Sequence, residues 1–279
     1  MPAQRQRVHA IAQSVARRWQ TTGSGRRIRA AITPAPAMNA RRHLLVASFA
    51  ALSLPAFAAS REVRGSGRVT SERRSVADFD RLSVAGAFEI ELRQGSSEGL
   101  ELTGDDDLLP LVETVVEDRE GARTLRISPR RDVDLQPSQP IRIRVDLMRL
   151  SSVALGGASR VKASGLRTAK LALSLGGSGD IALTGLDAER LVVNIGGSGR
   201  VAVGGRSTEA SLTVGGSGRV LLADLAADDV SVTLAGSGGA DVRAERRLKV
   251  TIAGSGRVRH GGAAVPSVTI VGSGDVRRL

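Results

Sequence analysis

The chain has 279 residues, a length that allows one extended domain or two compact ones. It is 41% hydrophobic but only 2% aromatic and has no cysteine, which excludes a disulfide scaffold and leaves few faces on which sugars or bases could stack. The formal charge of +12 resembles that of a nucleic-acid binder, but residues 1–58 carry nine arginines and no acid, so the remainder, 31 basic against 28 acidic residues, is only +3 and no nucleic acid is expected as a partner.

In chain order, residues 1–37 are Arg-rich, then Gly/Thr/Pro-rich, without periodicity, and read as a disordered extension upstream of Met38. Residues 38–58 read as a signal peptide. Arg41 and Arg42 form a charged start, Leu44 to Leu54 a short apolar run, and Ala56-Phe57-Ala58 a small-x-small site with the cut before Ala59. The apolar run is too short for an ordinary membrane span, so the mature chain is expected to have none and to be periplasmic or extracellular.

Residues 59–150 are expected to form irregular coils at the N-terminal end of a β-helix. Gly65-Ser66-Gly67 is flanked by Val63 and Val69, and Gly86-Ala87-Phe88 by Leu82, Val84 and Ile90, which reads as two copies of one motif. Asp105 to Val116 reads as a short helical turn followed by a strand, and Arg130 to Pro140 as a loop.

Residues 151–279 are a regular repeat. Its centres are Ala158, Ser178, Ser198, Ser217, Ser237, Ser255 and Ser273, spaced by 20, 20, 19, 20, 18 and 18 residues. Three before each centre stand Leu155, Leu175, Ile195, Val214, Leu234, Ile252 and Ile270, and five before stand Val153, Leu173, Val193, Leu212, Val232, Val250 and Val268. Ser174, Asn194, Thr213 and Thr233 lie between these columns, so the alternation has period two and marks strands with one buried face. Each copy is then strand, Gly-Ser-Gly corner, strand, loop, and copies of equal pattern stack as parallel strands about 4.8 Å apart. The expected fold is all-β, a parallel β-helix or β-solenoid with a period of 18–21 residues. The last copy, Ser267 to Leu279, keeps the full pattern. An uncovered coil presents unpaired N–H and C=O groups, which implies weak end-to-end self-association, blunted by Asp275, Arg277 and Arg278.

The chemistry-bearing residues point away from catalysis. No glycine-rich corner is followed by Lys-Ser/Thr or opens a helix, so none is a phosphate loop. The corner serines need a neighbouring base to act as nucleophiles, and beyond the leader there is only His260. One histidine and no cysteine argue against zinc, and Asp105-Asp106-Asp107 lacks the spacing of a calcium loop. Two after each centre, Arg160, Asp180, Arg200, Arg219, Arg257 and Asp275 form a column broken by Gly239. It reads as a solvated ladder or as an interaction strip.

Three blocks in fixed order, GSGRVTSERRSVADFDRLSVAGAFEIELRQG, LTGDDDLLPLVETVVED and the Gly-Ser-Gly copies, resemble the autotransporter-adhesin head GIN domain family from about Gly65 to Leu279. The resemblance implies a right-handed parallel β-helix, secreted or envelope-associated, with no established catalytic residues. The function expected is a non-catalytic cell-envelope module, structural or adhesin-like, without metal or cofactor, whose partner is an unidentified envelope protein or glycan. The alternative is a polysaccharide-binding or polysaccharide-degrading β-helix enzyme, which requires acid and base groups facing one another in a cleft.

Overall fold

A computed structural model describes residues 61–119 and 121–279; the predicted extension and signal peptide, residues 1–58, lie outside them. The described residues are almost wholly strand, with one 3-10 turn at Leu109–Leu111. The expected β-solenoid is present. Strands preceding the Gly-Ser-Gly corners pair side by side and parallel, from Arg81–Gly86 through Ser152–Gly157 and Arg167–Leu175 to Pro266–Gly272. Strands following the corners do the same, from Glu89–Gln94 through Arg160–Ser164 to Asp275–Arg278.

Register follows the predicted columns. Leu173 pairs with Val193 and Leu175 with Ile195; Leu212 pairs with Val232 and Val214 with Leu234. All of these side chains are buried, and Leu173 is 0% exposed. Between them Asn194, Thr213 and Thr233 point outward. The uneven period is absorbed in one place. Pairing slips between Leu183 and Leu186, between Ala202 and Gly205, between Leu222 and Ala227 and between Ala227 and Asp229, always midway along the long strand that links one corner to the next and never at the corner.

The corner is fixed because successive backbones touch there. A Cβ on Gly177 or Gly197 would fall inside the carbonyl of the coil before it, that of Gly157 and Gly177 respectively, although neither glycine is left-handed. Close approach, not positive φ, is therefore what these glycines supply. The Ala158 corner departs from the motif at its third residue as well. The next residue, Ser159, replaces the usual glycine and is buried, donating its hydroxyl to Gly86 O at 3.0 Å and accepting from Phe88 N–H at 3.1 Å.

The N-terminal half differs from the sequence reading in order. The coil containing Gly86-Ala87-Phe88 stacks as expected, but its other neighbour is built from later residues. Ala122–Pro129 pairs parallel with Arg81–Gly86, and Arg142–Leu147 with Glu89–Gln94. The chain thus runs outward, makes this outermost coil, and returns to the far side at Ser152. Antiparallel strands Val112–Arg119 and Gly99–Asp105 cover the exposed edges of that coil, and Val69–Arg74 adds to the latter.

Gly65-Ser66-Gly67 is not a stacked corner. Arg61–Arg64 pairs with Val133–Gln136, a short strand inside the segment expected to be loop. The turn is held instead by the three aspartates. Asp105 accepts from Gly67 N–H at 2.9 Å and from Ser138 N–H and hydroxyl at 2.8 and 2.6 Å. Asp106 takes the Ser66 hydroxyl and Arg68, and Asp107 takes Ser66 N–H. Asp105 is buried, and a Cβ on Gly65 would run into its carboxylate, so this glycine serves the aspartate rather than a coil.

Two pairs of substitutions test the stacking account. Leu173→Asp loses a buried leucine, which alone costs about 2–5 kcal/mol, and adds an unpaired charge; Thr213→Asp is expected to be near neutral. Gly197→Ala is expected to lower the unfolding midpoint sharply and Gly196→Ala, whose Cβ meets nothing within 4 Å, only slightly. Equal loss of the sheet signal in circular dichroism within either pair contradicts the assignment.

Candidate interaction face

The register brings all six sequence-predicted strip residues into one column on the strand after the corner. Arg160 pairs with Asp180, Asp180 with Arg200, and Arg200 with Arg219. Arg219 pairs with Gly239, Gly239 with Arg257, and Arg257 with Asp275. The structure extends the column by Glu89 and Arg142. Glu89 stands two after Ala87 and was readable from the motif. Arg142 follows a loop in place of a corner, so no spacing could have found it.

The column divides into two electrostatic halves. In the first, signs alternate and the charges meet: Glu89 lies 3.7 Å from Arg142 and 3.3 Å from Arg160, and Arg160 lies 4.0 Å from Asp180. In the second, Arg200 and Arg219 have no carboxylate partner among the described residues, while Arg257 is 4.0 Å from Asp275, which Arg277 holds at 2.7 Å. A depression of about 660 Å³ opens here over Gly239, walled by Arg200, Arg219, Arg257 and the Asp241–Arg259 pair. Asp241 binds Arg259 through both oxygens, and this bond raises the guanidinium pKa above its ordinary value. The exposed serines of the corner, Ser217, Ser237 and Ser255, form its near rim.

His260 does not join Ser255. It stands in the inward column below Val242, half-buried, which accounts for a polar residue at an otherwise apolar position of a terminal coil. A second depression, of about 380 Å³, lies at the other end of the column, where Glu89, Glu91 and Glu101 are each engaged by an arginine. Among the described residues no group of three or more His, Cys, Asp or Glu is arranged to hold a metal ion.

Several charges elsewhere on the surface are matched across coils. Arg206 grips Asp187 through both oxygens. Asp229 takes Arg247 and Arg246 together, and these bonds hold its carboxyl well below the usual range.

A family model described as "Putative auto-transporter adhesin, head GIN domain" matches residues 78–264, more than half of the chain. The chain belongs to this family. Solved structures similar to this chain include a "putative adhesin" from Bacteroides fragilis, 21% identical with a TM-score of 0.73, and one from Parabacteroides distasonis, 25% identical with a TM-score of 0.62. A "putative lipid binding protein" from Parabacteroides distasonis is 23% identical with a TM-score of 0.65. Each similarity covers 78% of this chain and 100% of the other. No curated protein matches.

The carboxylates of this head GIN domain generate a pH dependence. Asp229 is held low by Arg247 and Arg246, Asp187 by Arg206, and Asp105 by Ser138. In the unfolded chain aspartates titrate near ~3.9. Because the folded values are lower, the stability these groups lend is complete above about pH 4 and is lost as pH falls through the folded values. The urea midpoint is expected to drop below about pH 4, and Asp229→Asn to shrink that drop. A midpoint unchanged by acid contradicts the ladder account.

Proposed function

We propose that this head GIN domain is an exported, non-catalytic envelope module that binds another surface component through the charged column of its solenoid. The observation that carries the reading is the arginine-rich half of that column, with Arg200 and Arg219 lacking a carboxylate partner among the described residues and Arg257 sharing Asp275 with Arg277, beside exposed corner serines, on a family scaffold described as adhesin-like. The described residues contain no helix long and apolar enough to cross a membrane, which leaves β-barrel spans unaddressed. Against the polysaccharide-degrading alternative stands the chemistry of the two depressions. Glu89, Glu101 and Asp241, carboxylates that line them, are each already engaged by a guanidinium. The export claim is tested by N-terminal sequencing after fractionation. A mature chain beginning at or near Ala59 outside the cytoplasm is expected, and a cytoplasmic protein retaining Met1 contradicts it.

The partner reading includes weak end-to-end contact between copies. Val268 and Ile270 of the last coil are 42% and 40% exposed where Val250 and Ile252 in the same columns are fully buried. The opposite end is covered by antiparallel strands, so one edge of the stack carries the contact. Substituting Arg277 and Arg278 by glutamine is expected to raise self-association in sedimentation. A strict monomer at high concentration, unchanged by the substitution, contradicts this.

A further inference from the structure

We propose that the gap over Gly239 is a subsite for the sulfate or phosphate ester groups of a polyanionic polysaccharide lying along the stack. The inference rests on the reading of the charged column as a binding face, and names the chemistry of its ligand.

Gly239 is the one position in the second half of the column without a side chain, and the backbone does not demand this. Its φ lies outside the left-handed region, and a Cβ would meet only Arg257 O at 3.4 Å. Its neighbour Gly238 is different, because a Cβ there would strike Val214 and the Gly218 carbonyl at 2.7 Å. Gly239 thus opens a gap that a side chain could fill without rearrangement. Arg219 lies on one side of the gap in register and Arg257 on the other, about two strand spacings or ~9.6 Å apart. Two guanidinia facing across an empty place suit a tetrahedral oxyanion, which takes paired N–H donors from each. Ser237, exposed beside the gap, adds a hydroxyl.

Charge says why the place is suited to an anion. Asp241 is already bonded to Arg259, Arg200 and Arg219 have no acid partner among the described residues, and Arg257 lies 4.0 Å from an Asp275 that Arg277 already holds. Three exposed arginines hold a single small anion weakly, because each exposed contact is worth about 0–1 kcal/mol. A polymer repeats its charges along the coils and adds such contacts in one molecule. The rim favours a polyhydroxylated chain over a membrane. It carries Ser217, Ser237, Ser255 and glycine, with Leu221 the one large apolar side chain in the lining, and none of the exposed large apolar residues, such as Val265 or Val271, lines the depression.

The test uses the full mature chain and dextran sulfate, with neutral dextran and vesicles of phosphatidylcholine and phosphatidylglycerol as comparisons. Dextran sulfate is expected to bind and neutral dextran not. Arg219→Gln with Arg257→Gln, and separately Gly239→Glu, are expected to weaken binding about tenfold with the circular dichroism unchanged. Removing three arginines elsewhere (Arg130, Arg131 and Arg149 to Gln) is expected to change it less than about twofold. Equal losses in the two arginine variants, no effect of Gly239→Glu, or vesicle binding stronger than dextran sulfate binding each overturn the proposal. Wild-type protein that ignores dextran sulfate but still pulls down envelope material overturns the subsite alone and leaves the binding-module reading standing.

Discussion

Everything in this solenoid depends on how closely one coil's backbone lies on the next at the Gly-Ser-Gly corner. The positions of Gly177, Gly197 and Gly199 leave no room for a Cβ because the preceding carbonyl already occupies it. That contact pins the register at one point per coil. The aliphatic columns on either side, Leu173 over Val193 and Val201 over Val220, then align without further instruction. Length variation is pushed to the stretch farthest from the pinned point, where pairing slips without disturbing either column.

The same register that builds the core builds the surface. Residues two after each corner are forced into a column, so their charges are neighbours whatever they are. In the first half alternating signs meet and neutralise one another. In the second, arginine follows arginine around a position left empty at Gly239. Like charges directly opposite one another are unfavourable; they also occur at Lys170 beside Arg190 and Arg259 beside Arg277, while Arg206–Asp187 and Arg247–Asp229 are matched. The cluster around Gly239 is set apart by the depression that opens over it.

Much of this was legible because a repeat states the same fact many times. The strand columns, the corner and the column from Arg160 to Asp275 all follow from alignment of the copies. What escaped was whatever occurs once. The outermost coil is made by Ala122–Pro129 and Arg142–Leu147, which lie later in the chain than the coil they cover, and no period announces such a return. Gly65-Ser66-Gly67 has the letters of a corner but serves a buried carboxylate. Only the contacts of Asp105 with Gly67 and Ser138, across more than thirty residues, distinguish the two uses. The depression over Gly239 is intermediate: the missing side chain is visible in the sequence, but its meaning depends on knowing that Arg219 and Arg257 flank it.

The central claim, one coil per copy in strict register, is tested most directly by distances between spin labels. The chain has no cysteine, so pairs can be placed at Ser178 and any later corner serine without a background label. From Ser178 to Ser237, Ser255 and Ser273 there are three, four and five steps. The account predicts separations rising linearly through about 14, 19 and 24 Å. Separations that do not rise with copy number, or that alternate as in antiparallel hairpins, would contradict it.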